Sequence, residues 1–205
     1  MTARGGLLLV VAIALAGCAG SLLESRAEAP ETYRLQGAAF ADRGTCLPLA
    51  LAVARPHASP ALDSERIAVV RPDRRFDYYA GMRWAEPAPE MLQQRLVHAL
   101  AADGCFAAVV AAPSRVPAEL LLDVELRRFE ATYAAAGSVP EIRVELQLSL
   151  VEPREARRVT SVVAAGSAVA TADRRGAVIE AFERASSEAL LKSVDAVRQA
   201  APAAR

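Results

Sequence analysis

The 205 residues contain two histidines, one tryptophan and a single lysine, Lys192. Two histidines, His57 and His98, leave little room for histidine-based chemistry. A Ser/His/Asp triad would have to use one of them. His57 falls in a loop and His98 on a helix, and each reads as a surface or partly buried side chain. No Gly-x-Gly-x-x-Gly, phosphate loop or Gly-x-Ser-x-Gly elbow is present, which disfavours nucleotide binding and hydrolase chemistry of those types. Neither charge sign is in excess, with 24 basic and 24 acidic residues, so no broad basic field awaits a nucleic acid. Aromatic residues make up only 5% of the chain, so Ala, Val and Leu must fill most of the core. There is no Cys-x-x-Cys for redox work. The expectation is a protein that is not an enzyme and carries no metal or dissociable cofactor.

The N-terminus is more informative. Arg4 gives a short positive start, and Leu7 to Leu15 is an unbroken apolar run followed by Ala16-Gly17-Cys18. A positive start, a short apolar core and a small-residue cleavage site define a secretory signal. The run is too short to cross a bilayer, which takes about 20 residues. Leu15-Ala16-Gly17-Cys18 resembles the lipobox of bacterial lipoproteins. That resemblance implies cleavage after Gly17, a diacylglycerol on Cys18 and acylation of the new amino terminus. Two or three acyl chains make a durable anchor where one holds only marginally. Residues 1–17 then form the signal peptide and residues 18–32 a lipid-anchored tether of small and mixed-charge residues. Residue 19 is alanine rather than aspartate, which resembles outer-membrane sorting.

Export places the other two cysteines, Cys46 and Cys105, in an oxidising space, where a pair often becomes a disulfide. Two buried free thiols are the alternative.

Residues 33–199 read as a single domain, with 200–205 a fraying tail. Leu47 to Ala54 suits a strand interrupted by Pro48. Arg66 to Arg71 and Arg75 to Tyr79 flank Pro72-Asp73 and read as a hairpin. Residues 85–89 open a helix whose apolar stripe is Met91, Leu92, Leu96, Ala99 and Leu100, with Gly104 as its stop. Phe106 to Ala111 suits a short strand. In Glu141 to Leu150 five apolar residues alternate with polar ones, the pattern of a strand with one wet face. Leu120 to Phe129 and Val159 to Ala170 suit two more long strands. A final helix is predicted from an N-cap at Asp173. The fold class is α+β: a two-layer sandwich, with a mostly antiparallel sheet of six or seven strands and two main helices on one face.

Several features recur together: Tyr33-x-Leu35, the Leu49 to Val53 strand, Leu62-Asp63 before Ile67, Tyr78-Tyr79, Trp84-Ala85-Glu86-Pro87 and a helix ending in Leu100. With the lipobox, they resemble the ABC-type transport auxiliary lipoprotein family, which includes the lipoprotein of the paraquat-inducible system. The Pro72-Asp73-Arg74-Arg75 turn and the long small-residue tether depart from that pattern. The resemblance implies a role beside a transporter made of an ATPase, a permease and a mammalian-cell-entry (MCE) protein. The lipoprotein would dock the periplasmic MCE component at the outer membrane and bind no nucleotide. Association with further copies of itself is compatible with a docking collar.

Trp84 reads first as a packing residue at the helix start and second as a partner contact. Tyr78 and Tyr79 are adjacent on a strand and so face opposite sides, one towards the core and the other towards solvent or a partner. A structural or regulatory envelope lipoprotein would share all these features, and a small lipid carrier would add an apolar cavity.

Overall fold

A computed structural model describes residues 29–36 and 40–201. The signal peptide, Cys18 and nearly all of the tether lie outside the described residues, as do residues 202–205 of the tail. The described residues from Glu31 onward gather into one compact unit. Its elements, in order, are β1 (Glu31–Tyr33), β2 (Leu47–Val53), β3 (His57–Ala58), β4 (Arg66–Val70), β5 (Phe76–Trp84), α1 (Ala88–Asp103), β6 (Phe106–Ala111), β7 (Leu120–Thr132), β8 (Glu141–Glu152), β9 (Arg157–Val169) and α2 (Arg175–Ala200).

The strands form one nine-stranded sheet organised around β7. On one edge of β7 lies β8, with β9 beyond it, all antiparallel. On the other edge β2, β3 and β4 succeed one another, each parallel to β7. They pair in turn with Leu120–Leu122, Glu125–Leu126 and Glu130–Thr132. The stretch from 47 to 70 is thus a broken strand laid along a single long neighbour. Beyond it the sheet forks: β6 runs parallel to β2, β5 antiparallel to β4, and β1 parallel to β5.

This corrects the expected mostly antiparallel sheet of six or seven strands. Alternation reports which face of a strand is wet, not the direction of its neighbour. β1 and β3, with three and two residues, are too short to show any period. The antiparallel expectation holds for β7–β9 and for the β4–β5 hairpin around Pro72-Asp73.

The long strands follow their patterns. In β8 Ile142, Val144, Leu146, Leu148 and Leu150 are all buried, and the residues between them are half-buried. β7 buries Leu120, Leu122, Val124 and Leu126, then shifts register near Arg127-Arg128 and buries Phe129 and Ala131 instead. One extra residue at a bulge exchanges the two faces, so the strand continues to Thr132 with its apolar side kept inward.

Both helices lie on one face. α2 packs across β8 and β9, α1 across β2 and β6, and the helices touch each other. α1 has Pro89 in its first turn and ends at Gly104, whose φ of 74° and N–H to the Ala101 carbonyl close the helix. Gln93 fixes α1 to the sheet by donating to the Val53 and Ala112 carbonyls at 2.9 and 2.8 Å. α2 begins at Arg175, and Asp173 makes no cap. This corrects the expected N-cap, because the Asp173 carboxylate is engaged elsewhere, as described below. α2 runs through Ala200, with Ala201 buried behind it, so the predicted fraying does not begin at 200.

α2 comes unusually close to β9 at Gly166. A Cβ there would lie 2.1 Å from the Ala185 carbonyl oxygen and 2.8 Å from the Ala189 nitrogen. Only a residue without a side chain lets the two backbones meet. Three polar side chains of α2 then satisfy the free edge of β9. Arg184 donates to the Val169 carbonyl at 2.8 Å, Lys192 donates to the Ala165 carbonyl at 2.8 Å, and Glu188 accepts the Ser167 N–H at 3.0 Å. Covering an edge in this way keeps it from pairing with another chain. No helix among the described residues is long and apolar enough to cross a membrane.

Candidate functional site

The residues singled out by the sequence separate into packing and surface roles. Cys46 and Cys105 are joined by a disulfide, with Cα atoms 4.5 Å apart. The bridge ties the start of β2 to the start of β6, where the Cys46 and Leu47 N–H groups also donate to the Cys105 carbonyl.

Trp84 is fully buried. Its ring packs against Phe129 of β7 and Phe182 of α2 at 5.4 and 5.1 Å, and those two rings lie 5.1 Å apart. The partner-contact reading of Trp84 is therefore corrected, since the last residue of β5 points under the helices rather than outward. Its indole N–H meets no acceptor among the described residues, so its contacts there are those of packing. The neighbouring residues are structural in the same way. Leu62 and Ile67 are buried. Asp63 and Glu90 grip Arg55 at 2.5 and 2.7 Å, fastening the chain after β2 to α1.

Tyr78 is half-buried, lies under the Arg66 guanidinium at 3.5 Å and donates to the Ala61 carbonyl at 3.0 Å. Its ring is therefore already occupied on one face. Tyr79, on the opposite side, reaches a different group of residues. Its hydroxyl lies 2.9 Å from that of Tyr133, which donates to the Asp173 carboxylate at 2.6 Å. Burial pushes the Tyr79 and Tyr133 hydroxyls up in pKa, and their hydrogen bonds, to Tyr133 and to Asp173 respectively, push them further. Both therefore stay protonated and act as donors rather than bases.

This chain of hydroxyls ends in a cleft of about 430 Å³ whose walls include Arg71, Asp73, Arg75, Tyr133, Gly137 and Asp173. The pairing registers explain why these residues meet. β4 ends opposite the end of β7, and β8 begins there opposite the end of β9. The turns 71–75, 133–140 and 170–174 consequently share one end of the sheet. Asp73 is held below the usual carboxylate range by the Arg75 N–H and guanidinium, and Asp77 by the Tyr78 N–H and Arg71. The chain joins the domain beside this end. Glu31 of β1 pairs with Arg175 at 2.6 Å and accepts a hydrogen bond from Tyr33.

Tyr133, Asp173 and the arginines of the 71–75 turn were missed by sequence reasoning. They carry no spacing signal, and only the topology unites them. His57 is exposed at the free edge of β3, 3.7 Å from Asp123, while His98 sits on α1. Among the described residues no three His, Cys, Asp or Glu side chains cluster as metal ligands. Chemically, the cleft is polar and of mixed charge: its Arg71 and Arg75 guanidiniums are already paired with carboxylates, Tyr133 donates to Asp173, and Asp73 and Asp173 stand in its wall.

An α+β domain with helices on one face of its sheet, preceded in sequence by a segment that resembles a lipobox, fits a bacterial envelope lipoprotein. More particularly, it belongs to the ABC-type transport auxiliary lipoprotein component family, whose model matches residues 33–192. Members are envelope lipoproteins associated with a transport system. Protein XCC0632 from Xanthomonas campestris, of the DUF330 family, is similar at 27% identity with a TM-score of 0.77, covering 84% of this chain and 97% of that one. A second solved structure, described as an uncharacterized protein, shares the fold at 15% identity and a TM-score of 0.62, covering 84% and 99%. A search of curated proteins gives no match.

Proposed function

We propose that this protein is a non-enzymatic accessory lipoprotein of an MCE-type ABC lipid transport system, and that it docks the periplasmic MCE component at the outer membrane. The observation that carries the reading is a transport-auxiliary domain spanning residues 33–192 behind the lipobox ending at Cys18. The domain contributes positioning rather than chemistry, and its partners hold the nucleotide and the transported lipid. The covalent lipid on Cys18 is its only prosthetic group. Two features of the fold support a docking role. The closed, disulfide-braced core is a rigid platform, and the β7–β9 face away from the helices is open and polar. On that face Arg127 and Arg128 lie within ion-pair reach of Glu145, and Arg143 pairs with Glu141.

The test is purification of the acylated protein from native membranes after mild crosslinking. Recovery of an MCE-domain protein with its permease and ATPase is expected. Cell-wall synthases or outer-membrane assembly factors in their place would sink the transporter reading and leave a structural envelope lipoprotein.

A further inference from the structure

We infer that the end of the domain carrying the turns 71–75, 133–140 and 170–174 rests against an anionic lipid surface, so that the domain is oriented as well as tethered. The inference rests on lipid attachment at Cys18 and goes beyond it by assigning the face.

Three observations converge. The first is where the chain joins the domain. Cys18 is separated from Glu31 by the twelve residues 19–30, which span at most about 42 Å. β7, with 13 residues, is itself about 43 Å long. Glu31, where β1 begins, is paired with Arg175 directly after the 170–174 turn, so the link meets the domain nearer this end than the opposite one. The link therefore reaches a bilayer at this end with more slack than one at the end of the sheet that holds residues 112–119.

The second observation is apolar exposure at this end. The turn from Ala134 to Gly137 is exposed and uncharged. Val139 is 41% exposed beside it, Phe76 43% at the start of β5, and Val169 58% at the end of β9. An apolar tip of this kind suits shallow contact with the headgroup and acyl boundary.

The third is charge. Arg71, Arg75 and Arg175 are each paired with a carboxylate, Asp77, Asp73 and Glu31 respectively. Arg74 and Arg174 are exposed and pair with no carboxylate among the described residues. Arg74 stands at the tip of its turn with a φ of 66°. With the exposed Asp173 carboxylate in the same turn as Arg174, these groups leave one surplus positive charge beside the apolar tip, which complements anionic headgroups and adds to the attraction of the acyl anchor.

The test uses the full-length acylated protein in vesicles of phosphatidylcholine and phosphatidylglycerol with brominated acyl chains. A tryptophan is placed at the near end by Ala135→Trp or at the far end by Val116→Trp. The buried Trp84 signal of the unsubstituted protein is subtracted. Mass analysis of the Cys18 peptide first establishes acylation, and circular dichroism establishes folding. Quenching with Ala135→Trp is expected to exceed that with Val116→Trp by about threefold or more, as for a side chain in the interface. Adding Arg74→Glu and Arg174→Glu should at least halve the difference in anionic vesicles and leave it unchanged in pure phosphatidylcholine. An unacylated Cys18 peptide would sink the anchor itself. An acylated protein with equal or absent quenching at the two positions would overturn the oriented face alone. Insensitivity to the charge reversals in anionic vesicles would overturn the part assigned to the arginines.

Discussion

The inner layer of β7, β8, β9 and α2 and the loop end beside the tether are built on opposite terms. In the first, every second side chain of β8 is buried, two backbones meet at Gly166, and three aromatic rings lock β5, β7 and α2 together. In the second, arginines pair with exposed carboxylates, a hydroxyl chain runs from Tyr79 to Asp173, and a turn of small residues faces outward. The first region is specified by shape and tolerates little change. The second is held by polar contacts that individually contribute little, which leaves its surface available to a lipid or protein neighbour. The residues that look most distinctive in sequence belong mainly to the first region, and those placed for contact belong mainly to the second.

Substitutions sharpen this contrast. The largest effect is expected from Trp84→Ala, which empties the centre of the aromatic cluster and should cost about 3–5 kcal/mol, read by denaturant unfolding. A cost below about 1 kcal/mol would show that the cluster is not the keystone described. Replacing both cysteines (Cys46→Ala with Cys105→Ala) releases a loop of sequence separation 59 and should cost about 2–4 kcal/mol, with urea midpoints of oxidised and reduced wild type differing similarly. Gly166→Ala forces α2 away from β9 and should cost about 1–3 kcal/mol. Its Arg184 and Lys192 contacts should loosen with it, visible as faster amide exchange along β9.

The smallest effect is expected in the polar region. Tyr133→Phe removes the hydroxyl between Tyr79 and Asp173 and should cost about 1 kcal/mol at neutral pH. Its pH dependence is more telling. Burial raises both tyrosine pKa values in the folded state, whereas unfolded tyrosine loses its proton near pH 10. Above that pH the unfolded chain holds fewer protons than the native one, so stability falls as pH rises. Tyr133→Phe should make that alkaline loss shallower. An unchanged alkaline slope would show that the two hydroxyls are not coupled to folding.

Much of the packed part of the molecule, α1 included, was legible in the sequence. The alternation of Ile142 through Leu150, the helical stripe from Met91 to Leu100 and the Gly104 stop each reflect a local period or a single backbone requirement. Sheet direction was not legible. The parallel pairing of β2, β3 and β4 with β7 is set by chain segments 62 to 69 residues apart. The bulge at Arg127-Arg128 hides in a strand whose first half alternates well. Trp84 was rightly suspected of packing and wrongly considered for contact, because a tryptophan before a helix suits both roles until its neighbours are known. Tyr79 could be given a face but not a partner, since Tyr133 and Asp173 lie 54 and 94 residues further along the chain. The Asp173 N-cap failed for the same reason, because a distant hydroxyl claims the carboxylate.

The proposed docking role is tested most directly by flotation. Vesicles carrying the acylated protein are mixed with the soluble MCE-domain protein of the same bacterium and centrifuged through a density gradient. Co-flotation of the MCE-domain protein with the vesicles, absent when bare vesicles are used, is the expected result. If the lipoprotein floats while the MCE-domain protein stays at the bottom, the docking role is contradicted.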